Sequence, residues 1–224
     1  MSRGADDAAS LLERARGEED ELASRLLLSA AVQAAGLAVG VRVVLTGGTA
    51  ADFYAAGTLG TSEAYPALWR PSADVDVVVL AIEPYKPARD LMLRELERMG
   101  LKPRWSAGTA RAIDVPDFPF LLEIVGEELG VGRDERPITV LLDGTIPLTV
   151  RSPEDVILAY AESGWHLRHG GDWTRALAVY AAMRDRLDLE YLRDEAARRR
   201  QSAPLDAVMA LRPSPWRFAA PEDG

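Results

Sequence analysis

Apolar and polar positions alternate along this chain with two different periods, and the change of period divides it. From Asp7 to about Leu37, leucine, alanine and paired charges recur three and four residues apart, as in "LLERARGEEDELASRLLLSAAVQAAGL". That spacing predicts a helical leader, either two helices or one broken near Gly17. "VRVVL" then reads as a short β-branched strand, after which Gly47 and Gly48 turn the chain into "TAADFYAAG", a helix ending at Gly57. "TLGTSEAYPALWRPSA" has turn formers and no period, which predicts an ordered surface loop. "DVDVVVL" is a strand buried on both faces beyond its first residues, and "PARDLMLRELERMG" is an amphipathic helix with Leu91, Leu93, Leu96 and Met99 as its apolar positions. "FPFLLEIVG" and "ITVLLDGTIPLTV" supply further strands, with Asp143 before Gly144 read as a turn residue. Beyond "RSPEDVILAYAESG", where Ser152 can cap a helix that has Pro153 in its first position, the period is helical and stays so. The expected class is therefore α/β, a mixed sheet flanked by helices. The boundaries fall as a leader at 1–40, an α/β core at 41–150, a helical portion at 151–212 and a tail at 213–224.

Composition narrows the chemistry. With 224 residues and 48% apolar content, the chain can bury a good core. It has no cysteine and two histidines, which leaves oxygen ligands or those histidines for any metal. The acid-rich start "MSRGADDAASLLERARGEED" lacks the pattern of a secretory signal, and the absence of cysteine fits cytoplasmic residence. The longest greasy stretch, "LLLSAAVQAAGLAVGVRVVL", is interrupted by Ser29, Gln33, two glycines and Arg42, so no membrane span is expected. A net charge of −9 opposes nonspecific attachment to a polyphosphate backbone, and no DNA-binding surface is evident. A small nucleotide carried by a metal remains compatible.

Two short motifs carry the candidate chemistry. Successive strand side chains point to opposite faces, so Asp74 and Asp76 project to one side while Val75 points into the core. Their repulsion is costly unless cations neutralise it, and two hard divalent ions about 3.5 to 4 Å apart are one arrangement that does so. Gly47 and Gly48, at a strand-to-helix turn, leave backbone N–H groups bare at a helix start, where the dipole and free donors favour phosphate. Thr46 and Thr49 add hydroxyls. Each motif alone has a plain structural reading, a tight turn and a solvated strand end. In this order, with strand, turn, helix, loop and strand between them, they point to phosphoryl chemistry.

"LTGGTAADFYAAG" with "SADVDVVV" resembles the minimal nucleotidyltransferase superfamily. The forms "GGTA", "FY" and "DVD", with the later "SPEDVILAY", "DWTRALAVY" and "RLDLEYL", are similar to the prokaryotic group that includes the AbiEii-type toxins, over about Val41 to Ala196. The resemblance implies Mg²⁺ or Mn²⁺ as cofactor, an NTP as substrate, and transfer of its NMP group to a hydroxyl of a protein or RNA. It further implies a toxin–antitoxin or defence setting, with a candidate cognate partner protein. Asp74 and Asp76 would bind metal, with Glu123 in "FLLEIVG" as the third carboxylate and Asp114 as its competitor. Two departures stand out: the stretch between Gly48 and Asp74 is longer than usual, and Tyr160 stands where relatives often carry lysine, a role Arg168 or Arg175 could take over as nucleotide contacts. Two other readings stay open: an inert interaction protein that keeps the fold, and an aminoglycoside-type small-molecule enzyme.

Several remaining residues have bland readings. Glu123 could equally be a strand-edge residue facing water. His166 and His169 read as surface or capping residues, Arg168 and Arg175 also as ordinary helix solvation, Glu154 and Asp155 as part of a helix start, and "RDEAARRR" as a solvated helix end.

Overall fold

A computed structural model describes residues 3–56, 72–80, 85–101, 104–105, 112–115, 118–125 and 136–213. Residues 58–71 of the expected loop at 58–73, and the tail after Pro213, lie outside the described residues. The leader forms two helices, α1 (Arg3–Gly17) and α2 (Glu21–Ala38), broken after Gly17 as its period predicts. Asp20 caps α2, its carboxylate accepting from the Ala23 N–H at 2.8 Å. The helix closes with Gly40 at a positive φ of 75°, while Val41 N–H donates to the Gly36 carbonyl and Gly40 N–H to Leu37. This Schellman arrangement satisfies the last carbonyls and turns the chain straight into the sheet.

The strands are β1 (Arg42–Thr46), β2 (Asp74–Leu80), β3 (Arg104–Trp105), β4 (Ala112–Asp114), β5 (Leu121–Val125), β6 (Pro137–Leu142) and β7 (Ile146–Arg151). They form one mixed sheet in the order β3-β4-β5-β2-β1-β7-β6. At its centre β2 runs antiparallel to β1 and parallel to β5. The short β3 and β4, a pair with too few residues to show a period, had no counterpart in the sequence pattern. Asp143 and Gly144, both at positive φ, make the tight turn between β6 and β7.

A helix α3 (Gly47–Ala55) leaves the end of β1, and α4 (Tyr85–Arg98) follows β2. On α4 the inward positions are Met92 and Leu96, both fully buried, so Leu96 faces inward as expected, whereas Leu91 is exposed and Met92 takes its place. α2 packs on α1, α4 and strands β1, β2 and β7. Its Gly36 lies so close to the sheet that an added Cβ would sit 2.6 Å from Val43 Cγ2. Val43 opposes Val79, so α2 covers the face that also carries Val75 and Val77, each fully buried.

By contact the chain forms two compact units, Met1–Ala50 with Ser72–Arg151, and Ala51–Pro71 with Ser152–Gly224. The second holds α5 (Pro153–His166), α6 (Gly170–Met183), α7 (Leu189–Arg198) and α8 (Ser202–Met209). Ser152 caps α5 by accepting from the Asp155 N–H, with Pro153 in the first turn. Trp173, Ile157, Leu192 and Val208 are among its fully buried side chains. Among the described residues no helix is long and apolar enough to cross a membrane.

Candidate active site

The site grows from the place where β1 stops. Thr46 is the last residue of β1 and stands opposite Asp76. On the other side of β2, Asp76 pairs in register with Glu123, and Asp74 with Leu121. Residues two apart on a strand, and residues directly opposite on a neighbour, share a face. Asp74, Asp76 and Glu123 therefore converge on the face opposite α2, and their partners Val75, Leu122 and Ile124 fill the covered face. One carboxylate oxygen from each of the three acids lies within 4.8 Å of the others, and each residue is half-buried. Among the described residues this is the only group of three or more acids or histidines so placed. Farther along the same face Val78 and Val125 close it with a small apolar cluster. The competitor, Asp114, ends β4, two strands from β2.

Gly47 begins α3 at a φ of 62°, a conformation that costs other residues about 1–2 kcal/mol. The site gives a second reason for glycine: a Cβ there would lie 1.7 Å from Asp76 Oδ2. At Gly48 an added Cβ would meet Ser72 Oγ at 2.3 Å. The bare turn thus admits two neighbours at once, the Asp76 carboxylate and the start of β2. The Gly48 N–H donates to Asp76 Oδ2 at 3.3 Å, placing that carboxylate at the positive end of α3. Thr49 is fully buried, and its hydroxyl donates to the Asp74 carbonyl at 2.6 Å. Expected as a phosphate donor, it is engaged in holding the strand that presents Asp74.

Three residues in this arrangement escaped the sequence pattern: Arg25 and Gln33 on α2, and Ser72 ahead of β2. Arg25 is 1% exposed and donates from Nη1 to the Ser72 carbonyl at 2.8 Å and to Thr49 Oγ1 at 3.2 Å. Gln33 forms a two-pronged amide contact with β7, donating to the Thr149 carbonyl and accepting from its N–H. A lone arginine inside "LASRLLLSAAVQAAG" was the available signal.

The other expected residues lie in the helical unit. Arg175 donates to Asp172 at 3.4 Å, and its guanidinium carbon sits 5.7 Å from the centre of the Tyr160 ring. Arg168 is exposed at a φ of 58°, between α5 and α6. His169 Nδ1 faces Asp172 at 3.1 Å, and both histidines are exposed. Glu154 and Asp155 are buried in a network reaching well beyond a helix start. Asp155 receives the Tyr191 hydroxyl at 3.0 Å and Arg199 Nη2 at 2.9 Å, and Glu154 accepts from the Asp188 N–H. Burial, with the Asp155 charge beside it, pushes the Tyr191 phenol upward; burial likewise raises Tyr54, with Glu154 and Asp155 adding to it. Bonds from Arg198, with further help from Arg199, outweigh burial and hold Glu195 down at about 2. The arginines of "RDEAARRR" are thus partly structural.

No family model and no curated protein matches the sequence. The fold does have solved counterparts. The crystal structure of an antigenic nucleotidyltransferase-like protein from Paracoccidioides brasiliensis aligns over 88% of this chain and 95% of that chain, with a TM-score of 0.51 and 15% identity. The solution structure of the antibiotic-resistance factor ANT(2'')-Ia aligns over 78% and 91%, with a TM-score of 0.47 and 19% identity. The first likeness defines the fold as nucleotidyltransferase-like.

Proposed function

We propose that the protein is a metal-dependent nucleotidyltransferase that moves an NMP group from an NTP to a hydroxyl of a protein or RNA. The observation that carries this reading is the convergence of Asp74, Asp76 and Glu123 within 4.8 Å, beside the glycine turn of a nucleotidyltransferase-like fold. The donor set fits a hard divalent ion, Mg²⁺ or Mn²⁺: three carboxylates, with the glycine turn leaving Asp76 unobstructed. When bound, such an ion supplies positive charge against the triphosphate and the departing pyrophosphate.

The chain's own residues have separable tasks. Asp74 and Asp76 hold the cation from one strand, and Glu123 completes the cage from the next. Thr46, Gly47 and Gly48 are the candidate phosphate contacts at the start of α3, and glycine at both positions lets the Asp76 carboxylate and Ser72 lie against that turn. Thr49 contributes by fixing the Asp74 backbone. In the transfer itself the acceptor oxygen forms a bond to the α-phosphorus, and the bond from that phosphorus to the β-bridging oxygen breaks. Pyrophosphate leaves with the electron pair, and the acceptor proton passes to a Glu123 carboxylate oxygen. Arg168 and Arg175 are candidate nucleotide contacts on the resemblance. Arg175 on Tyr160 supports this, since it sets a cation beside the position where lysine is common in the group resembled. A toxin–antitoxin setting with a cognate partner protein follows from the same resemblance.

Incubation with each α-labelled NTP, Mg²⁺ and cell lysate tests the activity. Label should enter protein or RNA with release of pyrophosphate, and Asp76→Asn should abolish it. No transfer from any NTP by the intact protein would sink the enzyme reading and leave an interaction protein that keeps the fold.

A further inference from the structure

Antiparallel pairing between β1 and β2 ends at Thr46 opposite Asp76, because the chain then turns into α3. The carbonyls of Ser72, just ahead of β2, and Asp74, its first residue, therefore have no strand beside them on the β1 side. The next carbonyl, that of Ala73, faces the other way and accepts from the Leu121 N–H. A strand end open on one side is prone to fray, and Asp74 lies on it with Asp76 at its boundary. Side chains complete the ladder. Arg25 donates to the Ser72 carbonyl, and Thr49 to the Asp74 carbonyl. The two donors are joined, since Arg25 Nη1 also donates to Thr49 Oγ1.

We propose that Arg25, reaching from α2 to the end of the sheet, is a positioning residue of the metal site. It acts through Thr49 and the 72–74 backbone to fix where the Asp74 and Asp76 carboxylates point. Packing alone gives little reason for it. Burying a guanidinium carries a desolvation cost, and an apolar side chain of similar volume is often as stable or more so. What the arginine adds is a donor at one defined point, the entry of the strand that presents the acids. Helix α2 is then part of the site, although none of the three site carboxylates lies on it.

This inference rests on the proposed metal site, and the test separates the two. Mn²⁺ affinity by titration calorimetry and melting temperature are measured for the full chain and for Arg25→Met, Thr49→Val and the double variant. Arg25→Met is expected to weaken Mn²⁺ binding about tenfold, at the low end of what removing an outer partner costs a metal site. Thr49→Val should do much the same, and the double variant should lose little more, because the two donors serve one backbone segment. Arg25→Lys, which keeps the charge, should recover part of the loss. Lower melting temperatures with unchanged Mn²⁺ affinity would overturn the positioning role and leave the metal site standing. No Mn²⁺ binding by the unaltered protein would instead overturn the metal site, and the role with it. Should Arg25→Met fail to fold, the nearly isosteric Thr49→Val decides by itself: equal affinity overturns the proposal and a tenfold loss supports it.

Discussion

The molecule gathers acids in two places and treats them in opposite ways. In the helical unit Asp155 is fully buried, yet a serine, a tyrosine and an arginine point donors at it, and Glu195 nearby is held by two arginines. Charge there is cancelled within the protein. In the sheet unit Asp74, Asp76 and Glu123 face one another within 4.8 Å and remain half-exposed. Like charges brought together at a strand end cost stability unless something of opposite sign is supplied. The first arrangement is a fastening, and the second is what a cation-binding role requires.

Exchanging charge for amide should break the two clusters differently. Asp74→Asn with Asp76→Asn should remove Mn²⁺ binding altogether while leaving the melting temperature unchanged or higher, since like-charge repulsion is relieved. Calorimetry and a thermal melt read both, and retained affinity would refute the assignment. Asp155→Ala should do the reverse. Leaving the Tyr191 hydroxyl without its acceptor, and Arg199 with Glu195 in place of two carboxylates, should cost about 1–3 kcal/mol in urea unfolding, with Mn²⁺ affinity of the folded protein unaltered. A loss below about 1 kcal/mol, the range of exposed pairs, would mean the network is not the fastening described.

Gly47→Ala joins the two kinds of effect. The positive φ should cost about 1–2 kcal/mol, and the new methyl must displace the Asp76 carboxylate, so Mn²⁺ binding should weaken as well. Stability loss without a change in affinity would show that Asp76 has room to move. The smallest effect concerns acid. Glu195 is lowered from 4.5 to about 2 in the folded protein, so its contribution is present above about pH 4.5 and lost as pH falls toward 2. Glu195→Gln should flatten that part of the melting-temperature profile between pH 5 and 2, and an unchanged slope would assign it to other carboxylates.

Much of this was readable from local pattern. Period-two alternation set Asp74 and Asp76 on one face, and the same rule applied to "FLLEIVG" turned Glu123 away from Leu122 and Ile124. The glycine pair marked the strand-to-helix turn, and Ser152 with Pro153 marked the start of α5. What escaped was long-range. Helical periodicity says that α2 has an apolar face but not what lies against it, and the three strands it packs on could not be read from the leader's own period. Thr49 looked like a phosphate donor because its neighbours are glycines; that its hydroxyl faces Asp74 depends on a strand 25 residues away. On α4 the choice between Leu91 and Met92 as the inward residue was set by the sheet beneath, and the helix's own period could not decide it.

The grip of Gln33 on Thr149 has a consequence for how the chain is made. The two residues are 116 positions apart, and Arg25 waits 47 positions for Ser72. At a synthesis rate of about 5–20 residues per second, α2 is finished on the order of ten seconds before its last fastening point exists. Until β1 and β2 have been made, a helix rich in leucine and alanine, with an arginine meant for burial, has no sheet to lie on. The cover over α2 is therefore laid down strand by strand as the chain grows, with β7 last.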